Sequence, residues 1–340
     1  MHLKKWFLPS WEQRRRMLRI DIIVASALLY SALALSYIPY SVEWAQSPIG
    51  MRVDYALFYV RTFQFHAGLF MLLLAVAAML FRWWKLAAAA VPFLLFTLLP
   101  ATASYLPRSD AGTADGLKLV SCNLLYVNPN IDELAGKIAA LRPDIVCVQE
   151  LTSKLDSVLR SALGEEFRHV ATIPQLDAFG IGVYSRLPFA AAPGEAIPDR
   201  DMVPQQRIVF NARGTTVTLY NIHLYPPGTL LDYRDMSWQV DQLVRAIRRE
   251  KGPLILVGDF NFPNRTRQAR FIESTGLRDA YVMRGHGRGS TWPAIYPLKI
   301  FPGLGLDHLY LSHGLACNSI EVLGAPGSDH RMLVAHVQLP

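Results

Sequence analysis

Several short polar clusters after residue 120 contain the side-chain types that phosphate-ester chemistry needs. Their polar residues are Asn123, Glu150, His223, Asp259 with Asn261, Asp307, and Asp329 with His330. Most clusters follow an apolar run typical of a β-strand, so each polar side chain is expected where a strand ends. Strand ends from distant parts of a chain can meet in one open site. Oxygen ligands with paired Asp and His are suited to holding a hard divalent cation and cleaving a phosphate ester.

The segment 254–261 is the most specific of these clusters. Its apolar run and Gly258 predict a buried strand followed by a tight turn. Asp259 and Asn261 are two residues apart, and alternate residues of an extended backbone point the same way. Asp259 is therefore a candidate to bind or deprotonate an attacking water, and Asn261 is a candidate to hold a phosphoryl group.

Two histidines are candidates for work on the phosphate. His330 precedes a predicted strand and is suited to stabilising a phosphorane-like transition state or to moving a proton. Asp307 is expected to fix the tautomer of His330, as carboxylates commonly do. His223 ends another predicted strand, and a purely structural histidine is the alternative interpretation there.

Glu150 and Asn123 follow two further apolar runs. A carboxylate after a buried strand is a natural ligand for Mg²⁺, which keeps several waters and takes few protein oxygens. The Asn123 amide is expected to bind a phosphate oxygen or to orient Glu150 or the metal. Taken alone, each residue also has a structural explanation, Glu150 as a solvated strand end and Asn123 as a turn residue.

The region after residue 116 alternates predicted strands with helices. Strands are predicted at 117–123, 144–149, 179–185, 206–211, 215–222, 253–258, 306–312 and 333–338. Helices are predicted after an Asn130 cap, over 232–250 and over 266–275. Many short strands with hairpins favour two packed sheets flanked by helices over a Rossmann sheet. The chain also lacks the G-x-G-x-x-G and Walker A patterns, which argues against those nucleotide-binding classes.

Residues 1–107 differ in composition from the rest of the chain. They contain charge-free stretches at 22–38, 62–81 and 86–107, each close to the ~20 residues that cross a hydrocarbon core. We predict a membrane anchor over 1–107 with three transmembrane helices at about 20–40, 62–81 and 86–106. A linker is predicted at 108–116, and the catalytic domain at 117–340. Buried core helices, or a cleaved signal peptide for the first stretch, are the alternatives.

Charge asymmetry predicts the orientation of these helices. The N-terminal segment carries six Lys and Arg, including Lys4 and Arg14, and the positive-inside rule places it in the cytoplasm. Three crossings then put the catalytic domain outside, in the periplasm or at the cell exterior. Residues 1–107 carry ten Lys and Arg against four Asp and Glu, which leaves 24 against 23 for residues 108–340. The catalytic domain is therefore not a globally basic nucleic-acid binder.

The three cysteines, Cys122, Cys147 and Cys317, lack the spacing of a zinc site. Cys122 and Cys147 lie in apolar strand-like runs and are predicted to be small core residues. A disulfide between them is the alternative outside the cytoplasm.

Taken in order, these motifs resemble the endonuclease/exonuclease/phosphatase superfamily, which includes DNase I-like nucleases, abasic-site endonucleases, inositol-phosphate phosphatases and neutral sphingomyelinases. The resemblance covers about residues 118–340. It rests on Asn123, Glu150, residues 180–186, His223 in Asn-x-His, Gly-Asp-Phe-Asn at 258–261, Asp307, and Ser-Asp-His at 328–330. Position 308 is His where that superfamily often has Tyr, and position 332 is Met where it often has Pro.

The resemblance implies an α/β fold, specifically a four-layer α/β sandwich of the DNase I-like type, and phosphoester hydrolysis that depends on Mg²⁺ or Mn²⁺. It implies a metal held by Glu150 with Asn123 and Asp329 near it. It also implies that Asp259 activates water and that Asn261, with Asn123 and His223, positions the phosphate. His330, oriented by Asp307, would stabilise the transition state. Which group is the base and which the acid stays open, and the N-terminal helices resemble the bacterial membrane-bound branch.

The sequence therefore predicts an enzyme of the inner (plasma) membrane with a phosphodiester substrate and nuclease-like activity. A phospholipid or headgroup phosphodiesterase or phosphatase is the alternative, because the anchor would hold the domain beside a lipid bilayer. A catalytically inactive binding or scaffold protein, and a transporter formed by the helices, are further alternatives. No protein partner can be inferred.

Overall fold

The N-terminal part of the chain is helical, and the remainder contains two β-sheets. The computed structural model describes residues 10–41, 44–45, 47–106, 116–198 and 203–340. Two units are distinguished, Met1–Ala103 and Ser104–Pro340. The predicted linker at 108–116 lies outside the described residues except for Gly116, as does Lys4 of the basic N-terminal segment.

Four helices make up the first unit. They are α1 (Trp11–Tyr37), α2 (Pro48–Thr62), α3 (Gln64–Leu80) and α4 (Trp84–Ala103). Ser10 starts α1 through a capping box with Gln13, in which each side chain accepts from the other residue's backbone N–H. The helices α1 and α4 are long and apolar enough to cross a membrane, and α2 with α3, bent by 64°, counts as a third span if the two act together.

The helix α2 occupies most of the segment between the first two predicted transmembrane helices, where sequence analysis predicted no helix. Ser47 caps it by accepting from the Gly50 backbone N–H, and Pro48 occupies its first turn. Two charged residues of α2, Asp54 and Arg61, are buried. The Tyr40 hydroxyl donates to Asp54, and the Arg61 guanidinium lies 4.0 Å from the centre of the Tyr37 ring.

The helices α3 and α4 pack closely through a small residue. A Cβ atom at Gly68 would fall 2.4 Å from Thr97 Oγ1, so only glycine permits this approach. Close backbone contact at small residues is the usual way in which helices associate in lipid. Only residues 81–83 separate the two helices, so they form an antiparallel hairpin.

The second unit contains twelve strands within the described residues 116–198 and 203–340. They are β1 (Leu117–Asn123), β2 (Ile145–Gln149), β3 (His169–Ile173), β4 (Ile181–Ser185), β5 (Gly194–Glu195), β6 (Gln206–Ala212), β7 (Thr215–His223), β8 (Leu254–Asp259), β9 (Arg278–Asp279), β10 (Asp307–Leu311), β11 (Ala316–Gly324) and β12 (Arg331–Gln338). Its α-helices are α5 (Ile131–Ala140), α6 (Ser153–Leu163), α7 (Leu230–Ile247), α8 (Arg267–Glu273) and α9 (Ala280–Arg284).

These strands form two six-stranded sheets. Sheet 1 has the order β11-β12-β1-β2-β4-β3, and sheet 2 has the order β5-β6-β7-β8-β10-β9. In each sheet one central pair is parallel, β1 with β2 and β7 with β8, and the other pairs are antiparallel. Because parallel strands end at the same edge, the carboxyl ends of each central pair lie side by side.

The sheets pack face to face and helices cover their outer faces. One core lies between the sheets and includes Leu119 and Val183 from sheet 1 with Leu219 and Val257 from sheet 2. A second core packs sheet 1 against α5 and α6. On the other face of sheet 2 Leu256 is also fully buried, and α7 and α8 bury apolar side chains that include Met236 and Ile272. The predicted four-layer α/β sandwich is confirmed.

All eight predicted strands are present, but in the second unit sequence analysis missed four strands and two helices. The missed elements are β3, β5, β9, β11, α6 and α9. Asn130 does precede α5, but its side chain makes no capping hydrogen bond. The preceding turn is organised by Asn128 instead, whose Oδ1 accepts from the Asn130 backbone N–H at 2.7 Å.

The structure excludes the alternative of a Cys122–Cys147 disulfide. Strands β1 and β2 pair Ser121 with Cys147 and Cys122 with Val148, so the two thiols point to opposite faces of the sheet. Cys122 packs against the helices, whereas Cys147 lies between the sheets. All three cysteines are free and buried.

Gly258 is required by the close approach of β7 and β8. Its φ is +140°, and a Cβ atom there would fall 1.9 Å from the Ile222 carbonyl oxygen.

We expect Gly258→Ala to destabilise the full-length protein by at least about 2 kcal/mol, seen as a lower Tm by roughly 5 °C or more in detergent. The control is Gly252→Ala, whose Cβ would lie 4.0 Å from the Thr216 carbonyl oxygen. Equal melting of the two variants would contradict the packing argument.

Candidate active site

The carboxyl ends of the two central strand pairs meet at one end of the sandwich. Asn123 ends β1, and Glu150 follows β2, both in sheet 1; His223 and Asp259 end β7 and β8 in sheet 2. Asn123 Nδ2 donates to Glu150 Oε1 and to Asp259 Oδ2, each at 3.0 Å. One amide therefore connects the two sheets at the site.

Glu150 is held in a left-handed conformation at the mouth of the site. Its φ is +57°, an uncommon value for a residue with a side chain. Besides the bond from Asn123, its Oε2 accepts from the Tyr126 backbone N–H at 3.0 Å. Burial, with the nearby carboxylates of Asp259 and Asp329, raises the pKa of Glu150 despite these two hydrogen bonds. Both donors are neutral, so the carboxylate lies in a partly buried, net negative environment.

Asp259 lies at the centre of the site and is almost fully buried. Its Oδ1 accepts from the Asn261 backbone N–H at 2.9 Å. Its Oδ2 lies 3.6 Å from His330 Nε2 and 3.8 Å from His223 Nε2. Burial raises the pKa of Asp259, and the two histidines act in the opposite direction. A raised pKa makes this carboxylate a better proton acceptor.

His330 and Asp307 form a buried pair beside Asp259. His330 Nδ1 lies 2.9 Å from Asp307 Oδ2. Burial disfavours the imidazolium, but the carboxylates of Asp307 and Asp259 outweigh it and raise the pKa of His330 to about 10. The Ser328 hydroxyl accepts from the His330 backbone N–H and donates to the Asn123 carbonyl. His330 is therefore expected to be an imidazolium at pH 7, with Nε2 3.6 Å from Asp259 Oδ2.

His223 is placed by its backbone. Gln205 Oε1 accepts from the His223 N–H at 2.7 Å, and Gln205 Nε2 donates to the His223 carbonyl at 2.5 Å. Burial lowers the pKa of His223, and Asp259 only partly offsets it. The ring of Phe179 lies 5.9 Å from the imidazole. His223 is therefore expected to be neutral at pH 7, in contrast to His330.

Asn261 lies two residues after Asp259 in the chain, and Asp329 directly precedes His330. Asn261 has a φ of +57°, and its Nδ2 donates to the Leu224 carbonyl at 2.8 Å. Asp329 Oδ2 accepts from Trp292 Nε1 at 3.1 Å, whereas its Oδ1 is buried without a hydrogen-bond partner. The free carboxylate oxygen of Asp329 is available to a further ligand.

The structure brings the predicted residues into one network. Direct contacts connect Asn123, Glu150, Asp259, His223, His330 and Asp307, and Asn261 joins through its backbone N–H. Asp329 is near enough to raise the pKa values of Glu150 and His330. The roles given to these residues stay predictions.

Two groups of residues could hold a metal ion. The predicted group is Glu150 and Asp329 with Asn123. A second group is Asp259, Asp307 and His330, whose ligand atoms all lie within 4.8 Å of one another. The imidazolium of His330 already neutralises charge in the second group. The carboxylates of Glu150 and Asp329 receive only neutral N–H donors in the contacts above, so the first group has the greater need of a cation.

Several residues that shape the site were missed by sequence analysis. Gln205 and Trp292 hold His223 and Asp329, as described above. Between the sheets, Gln149 Nε2 donates to Asn221 Oδ1 at 2.7 Å, and Asn221 Nδ2 donates to Gln206 Oε1 at 3.2 Å. Of these residues, only Gln149 and Asn221 could have been identified from the sequence, because each closely precedes a motif residue. Gln205, Gln206 and Trp292 act through contacts that span long sequence distances.

The two departures from the superfamily pattern lie away from the reacting groups. His308 lies on the other side of β10 from Asp307, with Nδ1 2.8 Å from Asp279 Oδ2 and Nε2 2.8 Å from the Phe262 carbonyl. These contacts brace the turn that carries Asp259. Met332 is fully buried in the core beneath α5 and α6.

Comparison with solved structures finds the same fold in several proteins. An endonuclease/exonuclease/phosphatase from Bacteroides vulgatus is 18% identical with a TM-score of 0.54, covering 66% of this chain and 100% of that one. A 3′ phosphatase from Neisseria bound to product DNA hairpin is 17% identical with a TM-score of 0.52, covering 65% and 98%. A mannosyl-6-phosphatase from Bacteroides thetaiotaomicron is 18% identical with a TM-score of 0.52, covering 65% and 99%. Comparison with curated proteins finds no match.

The family comparison extends over the whole site. The model of the Endonuclease/Exonuclease/phosphatase family matches residues 120–330, more than half of the chain, and that range includes every predicted site residue from Asn123 to His330. Together with the four-layer sandwich, this shows that the chain belongs to the Endonuclease/Exonuclease/phosphatase family.

Proposed function

We propose that this chain is a divalent-metal-dependent phosphoester hydrolase in which activated water attacks phosphorus. The observation that supports it best is the buried His330–Asp307 pair, with Nδ1 2.9 Å from Asp307 Oδ2 and Nε2 3.6 Å from the buried Asp259 carboxylate. A proton acceptor and a cationic proton donor lie side by side, as hydrolysis of an anionic ester requires. The family, whose members hydrolyse phosphoesters, supports the same conclusion.

The residues of the site fit Mg²⁺ or Mn²⁺. Glu150 and Asp329 offer carboxylate oxygens, one of which, Asp329 Oδ1, is buried with no hydrogen-bond partner. Burial and, to a smaller extent, the neighbouring carboxylates of Asp259 and Asp329 raise the pKa of Glu150, and a bound cation would lower it. Oxygen donors without thiolates suit hard cations. Glu150 and Asp329, with Asn123 orienting Glu150, would hold the ion, and a bound ion would supply Lewis-acid stabilisation of the phosphoryl charge.

The remaining residues have distinct parts in the proposed reaction. Asp259 accepts the proton of the attacking water, because the Asn261 N–H fixes its Oδ1 and burial raises its pKa. His330 donates from Nε2 to the phosphoryl group as its charge grows, since Asp307 occupies Nδ1. His223, neutral at pH 7, orients the phosphate together with Asn261.

The substrate class is less constrained by this geometry than the reaction. Among the structures of the same fold, one is named a 3′ phosphatase bound to product DNA and another a mannosyl-6-phosphatase. The nuclease-like activity expected from the sequence and the alternative of a phospholipid or headgroup phosphoester are both compatible with these neighbours. No contact among the described residues favours the inactive binding protein, because the predicted site residues lie together.

We propose an inner-membrane location with the catalytic domain outside. The hairpin of α3 and α4 supports three crossings, because the apolar α3 packs antiparallel against α4 with Gly68 close to Thr97. Helix α3 has no charged residue over Gln64–Leu80. If α2 and α3 only entered and left the same surface, two crossings would return the catalytic domain to the cytoplasm.

The hydrolase proposal is tested by turnover of a soluble phosphodiester. We expect full-length protein to require Mg²⁺ or Mn²⁺ and to stop in EDTA. Asp259→Asn and His330→Ala should each lower kcat by about 10²–10⁴-fold, the usual contribution of a proton-transfer group. The matched controls are the exposed residues Asp132 and His313 as Asp132→Asn and His313→Ala. Full activity of Asp259→Asn would contradict the proposed role of Asp259 as the proton acceptor.

Metal binding has a readout that does not depend on turnover. Saturating Mn²⁺ at about 100 times its Kd should stabilise the protein by about 2.7 kcal/mol, raising Tm by roughly 5–10 °C. In Glu150→Gln this gain should largely disappear while Tm in EDTA stays close to that of the parent protein. The exposed Glu133→Gln on α5 should keep the full gain. An undiminished gain in Glu150→Gln would place the metal elsewhere.

Orientation is tested by alkaline phosphatase fusions, since that reporter is active only after export. Fusion at the C-terminus should be active, and fusion after Arg82, between α3 and α4, should be inactive. An inactive C-terminal fusion would show two crossings and a cytoplasmic catalytic domain.

A further inference from the structure

An exposed apolar segment begins next to the candidate active site. We call residues 292–303 the rim loop. Five of its large side chains are 44–72% exposed: Ile295, Tyr296, Leu298, Ile300 and Phe301. Single exposed apolar residues are common on soluble proteins, but a contiguous group of this size marks an interaction surface.

The rim loop is bonded directly to the candidate metal site. Trp292 Nε1 donates to Asp329 Oδ2 at 3.1 Å, and the Ala294 backbone N–H donates to the Asp329 carbonyl at 2.7 Å. Whatever the loop binds is therefore held beside Asp329.

Other loops around the site also expose apolar side chains. Val127 is 62% exposed in the loop after β1, where Tyr126 donates to Glu150. Leu176 is 98% exposed between β3 and β4, in the loop whose Gln175 N–H donates to the Leu151 carbonyl. Apolar groups thus flank the charged centre from two more loops.

The rim loop and the segment just before it carry positive charge. Residues 288–303 contain Arg288 and Lys299 but no Asp or Glu, and Arg288 donates to the Gly303 carbonyl at 3.0 Å. Lys299 Nζ lies 3.8 Å from the centre of the Tyr296 ring. Tyrosine and lysine beside aliphatic residues form the pattern found at membrane interfaces, and a basic segment is attracted to anionic lipid.

We propose that the rim loop docks on a bilayer of anionic phospholipid, so that the site hydrolyses a phosphoester in the headgroup of a membrane lipid. The same chain carries helices that are long and apolar enough to cross a membrane, which keeps a bilayer within reach. A nucleic acid would match the positive charge but offers no apolar phase for Ile300 and Phe301. The substrate class rests on the proposed hydrolase function, whereas the docking itself does not.

The reaction balances without a further reagent. The oxygen of water bonds to phosphorus, one ester P–O bond breaks, and the leaving alcohol oxygen receives a proton. Asp259 takes the proton of the water, and no electron is transferred.

Docking can be measured without turnover. The native cysteines Cys122, Cys147 and Cys317 are buried, so a nitroxide label can be attached selectively to Ile300→Cys in full-length protein. In vesicles of phosphatidylglycerol and phosphatidylethanolamine, we expect this label to be accessible to oxygen and shielded from a water-soluble nickel chelate. The control is Val282→Cys, half exposed on α9, beside the end of β10 away from Asp307. Equal nickel accessibility at the two positions would overturn the docking.

The substrate class is measured as a ratio in the same vesicles. Release of phosphate or headgroup from the lipid is divided by turnover of a soluble phosphodiester. The double variant Ile300→Ser and Phe301→Ser should lower this ratio at least tenfold, and Val282→Ser should leave it unchanged. An unchanged ratio in the double variant would overturn the role of the loop.

The remaining outcomes separate the two proposals. Cleavage of the soluble diester or of plasmid DNA, with no release from lipid, would leave the hydrolase standing and overturn the lipid substrate. Absence of turnover on every substrate would overturn the hydrolase and with it the lipid substrate, while the label at position 300 would still decide the docking.

Discussion

The Asn123 side chain is the point at which the two sheets become one site. Its amide donates to Glu150 of sheet 1 and to Asp259 of sheet 2, both at 3.0 Å. Its Oδ1 accepts from the Leu125 backbone N–H at 3.0 Å, so the orientation of the amide is determined from both ends. Because the donor is neutral, it brings two carboxylates close without cancelling their charge. The two carboxylates therefore keep a negative field, which stabilises a divalent cation or the His330 imidazolium.

This arrangement depends on the parallel strand pairs and on local strain. In each sheet a parallel pair ends at the same edge, so its terminal side chains lie side by side. Glu150 and Asn261 then turn through left-handed backbone with φ of +57°. Such conformations cost about 1–3 kcal/mol each and persist only where the surroundings enforce them. The core between the sheets and the bonds to Tyr126 and Leu224 provide that enforcement.

The sequence was informative where a buried strand ends in a polar residue. That pattern located β1, β2, β7 and β8 and the four site residues that end them, because burial forces long apolar runs and makes the first polar residue conspicuous. It failed for β5 and β9, which are two residues long, and for β3, whose partly exposed residues lack a clear period. It also failed for α2, since the burial of Asp54 and Arg61 depends on tyrosines from another segment.

Within the site, the sequence indicated the chemical groups but not the residues that hold them in place through hydrogen bonds. The clasp of Gln205 on His223 and the bond from Trp292 to Asp329 join residues 18 and 37 positions apart. No local pattern encodes such contacts, because each depends on how separate loops pack. The sequence also offered no indication that His223 and His330 differ in their expected protonation. His223 and His330 are both buried imidazoles near Asp259, yet only His330 has a second carboxylate, Asp307, in contact.

The negative centre and the apolar rim loop set complementary requirements on a substrate. A phosphate ester is anionic, so Glu150, Asp259 and Asp329 repel it until a cation and the His330 imidazolium offset their charge. Binding energy from groups remote from the reacting phosphorus can oppose this repulsion and hold the ester in place. Exposed aliphatic side chains beside Asp329 would supply such energy only to a substrate with an apolar part next to its phosphate. A headgroup phosphate at a bilayer surface meets both requirements, whereas a soluble diester meets only the first.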